Sequence, residues 1–443
     1  MQSEPDRRSH ARECLLAGID AANPRAVLEE QLQLDGSVLS VGGSEVDLST
    51  VGDVFLVGGG NAAGTAASAL ESILGDRLTG GAVVTDDPRE TSRVTTFDGT
   101  HPLPSEANVA GTRKVLEIAE AAGPDDLVLT IIAGGGSSLL CAPSAGVSLD
   151  ALRSVTDSLL ASGADIDEIN AVRKHCSAIK GGQLARAAAP ARVVGLVFSD
   201  VVGNKLDVIA SGPTAPDPTT YADALGVLDR YGISAEPAVR DHLSRGDRGE
   251  LQETPKPGDP AFDAVENHVV ADTDTALDAA ADAVASLGYD PLVLTSRIRG
   301  EAREAAKTHV ALGEEVLATG RPIDPPAALL TGGETTVTVR GDGSGGPNLE
   351  FALGAALELD DDGIAVGCVD TDGYDGGTDV AGAVVDAATV DRGTSAQAQA
   401  MLADNDAFGF FDGRDELVVT GATGTNVNDL RVVLVGSPSD ATD

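Results

Sequence analysis

The stretch INAVRKHCSAIKGGQLARAA, residues 169–188, gathers Arg173, Lys174, His175 and Lys180 in a chain that has only six lysines. Lys180 stands directly before Gly181, Gly182 and a helical run. A cation in that setting meets a carboxylate or a transferring phosphate, and Arg173 is read with it as a catalytic candidate. A salt-bridged helix end is the competing account, and it suits Lys174 better than Lys180. Further on, VFSDVVGNKLDVIASGPT (197–214) ends an apolar strand at Asp200. Acids at strand ends of α/β sheets meet ligands; a turn former is the plainer alternative. Ser211, Gly212 and Thr214 follow around a Gly-Pro turn as candidate binding residues.

Two glycine-rich loops exit toward the same sheet edge. In FLVGGGNAAGTAASALESIL (55–74) an apolar strand runs into Gly58, Gly59, Gly60 and Asn61 with G-x-G-x-x-A spacing. Such a loop gives a tight turn and close backbone approach to an anion at a helix N-terminus. Asp86 sits roughly where a dinucleotide fold keeps its ribose-binding acid, so a dinucleotide, a phosphate and simple helix–strand packing all remain open. The second loop, IIAGGGSSLL (131–140), offers Gly134, Gly135 and Gly136 as an anion nest, with the hydroxyls of Ser137 and Ser138 beside it. Each serine alone also reads as an N-cap. Two such loops in one domain point to two anionic groups.

In the C-terminal half, GDGSGGPNLEFAL (341–353) supplies Asn348 and Glu350 as candidate binding residues. DTDGYDGGTDVAGA (370–383) supplies Asp372 and Asp375, which follow an apolar strand and are candidates to hold Mg²⁺ beside phosphates. Their spacing is not that of a calcium loop, and Asp379 and Asp386 read as solvated surface acids.

These residues need elements to position them. Strands are expected at 54–58, 81–86, 93–99, 126–136 and 192–200, with helices near 61–74, 105–121, 148–161 and 166–175 between them. Near-continuous Val, Leu and Ile runs between helices indicate a buried, mostly parallel sheet. The polar, Pro- and Gly-rich stretch 246–262 reads as a linker. Beyond it, strands at 267–271 and 291–295 alternate with helices at 273–287 and 300–319. Two strands, a glycine loop and a helix are then expected across 327–357, and two strands around a turn-rich loop at the C-terminal end. The expected organisation is therefore two α/β domains, 1–255 and 256–443, with a ligand cleft between them.

Composition narrows the class. There are 70 acidic residues against 30 basic ones, a net charge of −40, with 42% hydrophobic residues. Regular apolar patterning argues against disorder, and a carboxylate-covered surface suits a salt-rich cytosol that screens self-repulsion. That surface would repel nucleic acid. No membrane span or signal peptide is expected, and a cytoplasmic location follows. Four cysteines without a CxxC pair argue against zinc and against a disulfide framework.

Taken together, GGGSSLL, NAVRKHCSAIKGGQLA, SDVVGNKLDVIASGPT, GDGSGGPNLEFAL, DTDGYDGGTDVAGA and TGATGTNVNDL, in this order, resemble the MOFRL-type glycerate 2-kinases. The resemblance spans about residues 55 to 435. It implies a Rossmann-like N-terminal domain, a smaller mixed-sheet MOFRL domain, and transfer of a phosphoryl group from ATP, with Mg²⁺, to the 2-hydroxyl of D-glycerate. A homo-oligomer is compatible with it. The chain departs from the family pattern at Asn61, where a lysine is usual, and at Pro347 and Leu349, where the motif usually reads Arg and Gln. An NAD(P)-linked hydroxypyruvate reductase and a catalytically weak binding protein are the alternatives.

Overall fold

A computed structural model describes residues 7–438; residues 1–6, the start of the segment read as lacking a signal peptide, and 439–443 lie outside the described residues. The described chain divides into two compact units, one formed by 27–270 and the other by 7–26 together with 271–438.

In the first unit, six strands lie in the order Val94–Asp98, Gly80–Thr85, Val54–Gly59, Leu127–Ala133, Arg192–Phe198 and Val265–Ala271. The first five pair in parallel. This is a doubly wound order, whose direction reverses between Val54–Gly59 and Leu127–Ala133; ligands of such sheets bind at the strand ends there. Every residue of Leu127–Ala133 is buried. Val57, Val84, Ile132 and Val197 meet in the core beneath the helices. Helix Ala63–Leu74 follows the first glycine loop and packs through alanines. Leu149–Ser162 is capped by Ser148, which accepts from Ala151 N at 3.1 Å, and ends at left-handed Gly163. Ile166–His175 starts in an Asp165/Glu168 capping box. A small antiparallel sheet, Leu32–Asp35, Val38–Val41 and Ser44–Asp47, was not expected.

The second unit has a mixed sheet, ordered Asp290–Ile298, Ala327–Gly333, Asp429–Val435, Ile364–Asp370, Gly382–Asp386 and Leu417–Val418. Its core joins Leu329, Phe351, Val366 and Val433. Helix Arg7–Ala21 packs in this unit against Thr273–Ser286 and Ile364–Asp370.

Two sequence expectations differ from the structure. Across 327–357 only one strand forms, Ala327–Gly333, because several of the following backbone donors are taken by side chains. Thr335 N bonds Asp429 Oδ2 at 3.2 Å, Thr338 N bonds Glu301 Oε2 at 3.2 Å, and Arg340 N bonds Asn405 Oδ1 at 2.6 Å. The contact boundary falls at Val270 and not at 255, and the first helix groups with the C-terminal unit. The stretch read as a linker is fastened inside the first unit: Glu253 accepts from or pairs with His175 at 2.8 Å, and Thr254 donates to Asp217 at 2.9 Å. No helix among the described residues is long and apolar enough to cross a membrane.

Candidate active site

The two glycine loops flank the reversal of the sheet. Gly58 has φ 138°, and a Cβ there would lie 2.0 Å from Ile131 O. Glycine at this position is thus required by the neighbouring strand, before any anion is considered. Gly59 ends the strand and Gly60 follows it. Asn61 N donates to Gly134 O at 2.8 Å, stitching the two loops together, and Asn61 Nδ2 donates to Asp86 Oδ2 at 2.9 Å. Asn61 Oδ1 is buried without a hydrogen-bond partner and lies against Gly135, where a Cβ would sit 1.8 Å from it.

Asp200 leans on the second loop: a Cβ on Gly134 would be 2.6 Å from its Oδ2. Burial pushes the Asp200 carboxyl up to about 6, against the lowering effect of backbone donors that include Gly135. Gly136 opens the short helix Gly136–Leu139, which carries both serines. Ser137 Oγ lies 2.9 Å from Ser211 Oγ, and Ser211 Oγ donates to the buried Asn170 Oδ1 at 2.9 Å. Ser138 is turned away and donates to Pro102 O at 2.6 Å. Ala210, Ser211 and Gly212 all have positive φ, between 50° and 64°. This costly conformation for two non-glycine residues is held by Gly181 N to Ser211 O at 2.9 Å and Gly182 N to Gly212 O at 2.7 Å. The turn is thereby bonded to the diglycine after Lys180. Thr214 is committed to Asn267 Oδ1 at 2.8 Å.

Arg173 and Lys180 approach the same loop from the other side. Arg173 Nη2 donates to Ser137 O at 3.0 Å, and Lys180 Nζ donates to Leu140 O at 2.7 Å. Among the described residues neither has a carboxylate partner within ion-pair distance. Burial lowers Lys180 to about 7, helped by the neighbouring Arg173 guanidinium, and burial lowers Arg173 as well. Lys174 is as buried as Lys180 but is paired, with Asp217 at 3.4 Å and Asp207 at 3.6 Å. His175 is fixed by Ala171 O and Glu253 and takes a structural place.

The candidates of the second unit form a different kind of cluster. Asp375 Oδ1 accepts from Asn348 N at 2.8 Å and Oδ2 from Leu349 N at 2.8 Å, so it caps helix Pro347–Glu358. Asn348 Nδ2 reaches Asp429 Oδ1 at 2.7 Å. Asp429 Oδ2 is held by Arg431 Nη2 at 2.5 Å, and Arg431 stacks over Phe351 at 5.0 Å. Glu350 is buried between Arg303 and Asn405. Pro347 takes a first-turn position where no N–H is needed, and Leu349 is fully buried in the core. Both departures from the family pattern therefore serve the helix.

Asp372 and Asp375 do not fit a magnesium cage. Both Asp375 oxygens are occupied by backbone donors, and Asp372 Oδ1 accepts from Tyr374 N at 2.8 Å. No group of three or more His, Cys, Asp or Glu among the described residues is arranged to hold a metal ion. Sequence reasoning missed Asn170, Asp429 and Arg431; the last two sit in NDLRVVLV, where an Asp and an Arg interrupt a strand whose residues are all buried.

The chain matches a domain of unknown function, DUF4147, over residues 10–244 and the MOFRL family over residues 327–429. It is 41% identical over 388 residues to the D-glycerate 2-kinase of Thermotoga maritima, covering 86% of this chain and 90% of that protein. To the glycerate 2-kinase of Pyrococcus horikoshii it is 39% identical over 427 residues, 95% of each chain. A crystal structure of glycerate kinase from Thermotoga maritima superposes with a TM-score of 0.84 at 38% identity, covering 97% of this chain and 99% of that one. With similarity of this extent along nearly its whole length, the chain belongs to the glycerate 2-kinase family.

Proposed function

We propose that the protein is an ATP-dependent glycerate 2-kinase, transferring the γ-phosphoryl group of ATP to the 2-hydroxyl of D-glycerate to give 2-phosphoglycerate and ADP. The observation that carries this reading is the likeness to glycerate 2-kinases over 95% of the chain. An acid and two cations around one glycine-rich loop supply a chemistry for it. Asp200 takes the proton of the 2-hydroxyl as that oxygen bonds to the γ-phosphorus. The bond from this phosphorus to the bridging oxygen breaks, and ADP leaves. A carboxylate raised to about 6 is ionised at neutral pH and still basic enough for the task. Lys180 and Arg173 offset charge on the transferring oxygens. The loop Gly134–Ser137, with Ser211, presents the anion to them, while Gly58, Gly60 and Asn61 shape its floor.

Mg²⁺ enters this reading as the ion that ATP carries, without Asp372 or Asp375 as ligands. The net charge of −40 supports work in a salt-rich cytoplasm and argues against nucleic acid as a partner. The reductase reading loses its support at the first loop, where packing accounts for Gly58 and Asp86 is bonded to Asn61.

The test is a product analysis in molar KCl with ATP, Mg²⁺ and D-glycerate, alongside NADH and hydroxypyruvate. D-Glycerate-dependent ADP and 2-phosphoglycerate are expected, with melting temperature and turnover both falling on dialysis to millimolar salt. NADH oxidation without ATP turnover would replace the kinase by the reductase, and full stability at low salt would remove the salt-adapted reading.

A further inference from the structure

A cavity of about 210 Å³ opens beside Arg173 and Lys180. Its charged lining is Arg153, Arg173 and Lys180 with one acid, Asp157, which is exposed. Three cations to one acid is a marked local excess in a chain with 70 acids and 30 bases. Arg153 is already occupied by Pro104 O at 2.7 Å and Asp150 at 3.1 Å. Lys180 is only 2% exposed, and among the described residues its ammonium is met by the Leu140 carbonyl and by no carboxylate. A buried cation without a counter-ion is costly, and a carbonyl dipole offsets only part of that cost. Lys174 shows how this chain compensates a buried lysine when the fold alone must do it, by placing two carboxylates around it.

The rest of the lining is mostly apolar, with Pro102, Leu103, Pro104, Leu152 and Leu160 beside the hydroxyls of Ser137, Ser138 and Thr156. Leu103 and Leu160 are 57% and 62% exposed, although both are large hydrophobic side chains. Glycerate, polar at every carbon, would set hydroxyls against these leucines. A ligand matching the whole cavity has an anionic head and a hydrocarbon body.

We propose that this cavity binds a small monocarboxylate with an apolar body, the carboxylate meeting Arg173 and Lys180 and the hydrocarbon lying on Leu103, Leu152 and Leu160. Because the same two cations are assigned to the transferring phosphate, occupancy inhibits the kinase competitively; this second part rests on the proposed activity, the binding itself does not.

Calorimetric titration of the full-length protein in fixed molar KCl tests it, with hexanoate as the probe, acetate as head without body, and hexanamide as body without charge. Hexanoate is expected to bind roughly tenfold or more tightly than either. Leu160→Asp, at an exposed position outside the proposed machinery, is expected to weaken hexanoate by about tenfold or more and to leave D-glycerate turnover and melting temperature unchanged. Lys180→Met should weaken hexanoate similarly. Hexanoate binding no tighter than acetate, or binding indifferent to Leu160→Asp, would overturn the site. Tight hexanoate binding by a protein with no D-glycerate-dependent ADP formation would uphold the site and reject the kinase reading and the inhibition with it.

Discussion

In the unit built on 27–270, Lys180 and Arg173 are held by main-chain carbonyls. In the other unit, Arg431 is fully buried but bonded to Asp429, which in turn holds Asn348 at the head of a helix capped by Asp375. Both regions bury charge, with opposite accounting for it. Arg431 and Asp429 pair their charges and fasten a strand to a helix, although Arg431 Nε and Nη1 are buried without hydrogen-bond partners. Lys180 and Arg173 line a cavity and are bonded to carbonyls, with no carboxylate within ion-pair distance among the described residues. The same contrast recurs six residues apart, between the paired Lys174 and the unpaired Lys180. Burial alone therefore says little about role, and the partners have to be read with it.

The largest expected effect is on the scaffold side. Arg431→Leu leaves Asp429 buried and unpaired, which should cost about 3–5 kcal/mol of stability. Denaturant unfolding in molar KCl measures it; a loss below about 1 kcal/mol would show that the pair behaves like a surface contact. Next comes Lys180→Met, expected to lower kcat by roughly 10²-fold or more while the melting temperature holds. Its counterpart Lys174→Met should do the reverse, losing about 1–3 kcal/mol through stranded Asp217 and keeping kcat in the folded fraction. Should the two lysines exchange these outcomes, the distinction between paired and unpaired charge would fail where it is sharpest.

The smallest effect is in pH. Asp200 must be ionised to accept a proton, so turnover should rise with pH up to about 6. Lys180 must be protonated to offset charge, so turnover should fall above about 7. The expected profile is a narrow bell, with Asp200→Asn abolishing the acidic limb of whatever activity remains. A flat profile from pH 5 to 9 would detach these two groups from the chemistry.

Much of this was legible beforehand, for identifiable reasons. Glycine loops after apolar strands announced the two turns at the sheet's reversal, and the reading of Lys174 as part of a salt-bridged helix end agrees with its two carboxylate partners. Asp375 marks the limit of such reading, because an acid before glycines reads the same whether it awaits a cation or caps a helix. Capping is a contact between Asp375 and a helix that begins 28 residues earlier, at Pro347, and no local pattern encodes it. The absent second strand across 327–357 has a similar cause: Val337 and Val339 alternate as a strand would, but Asp429, Glu301 and Asn405 take several of the backbone donors.

Local patterns in the chain were enough for the elements of the doubly wound sheet, the charge of the surface and the residue types at the strand ends. Those properties are local, since hydrophobic period, turn glycines and net charge survive in any short window. Only the tertiary structure decided which buried charges are matched and which are left open, because pairing is a distance between side chains far apart in the chain. Among the described residues it put two carboxylates around Lys174 and none around Lys180, and no short window of sequence carries that difference.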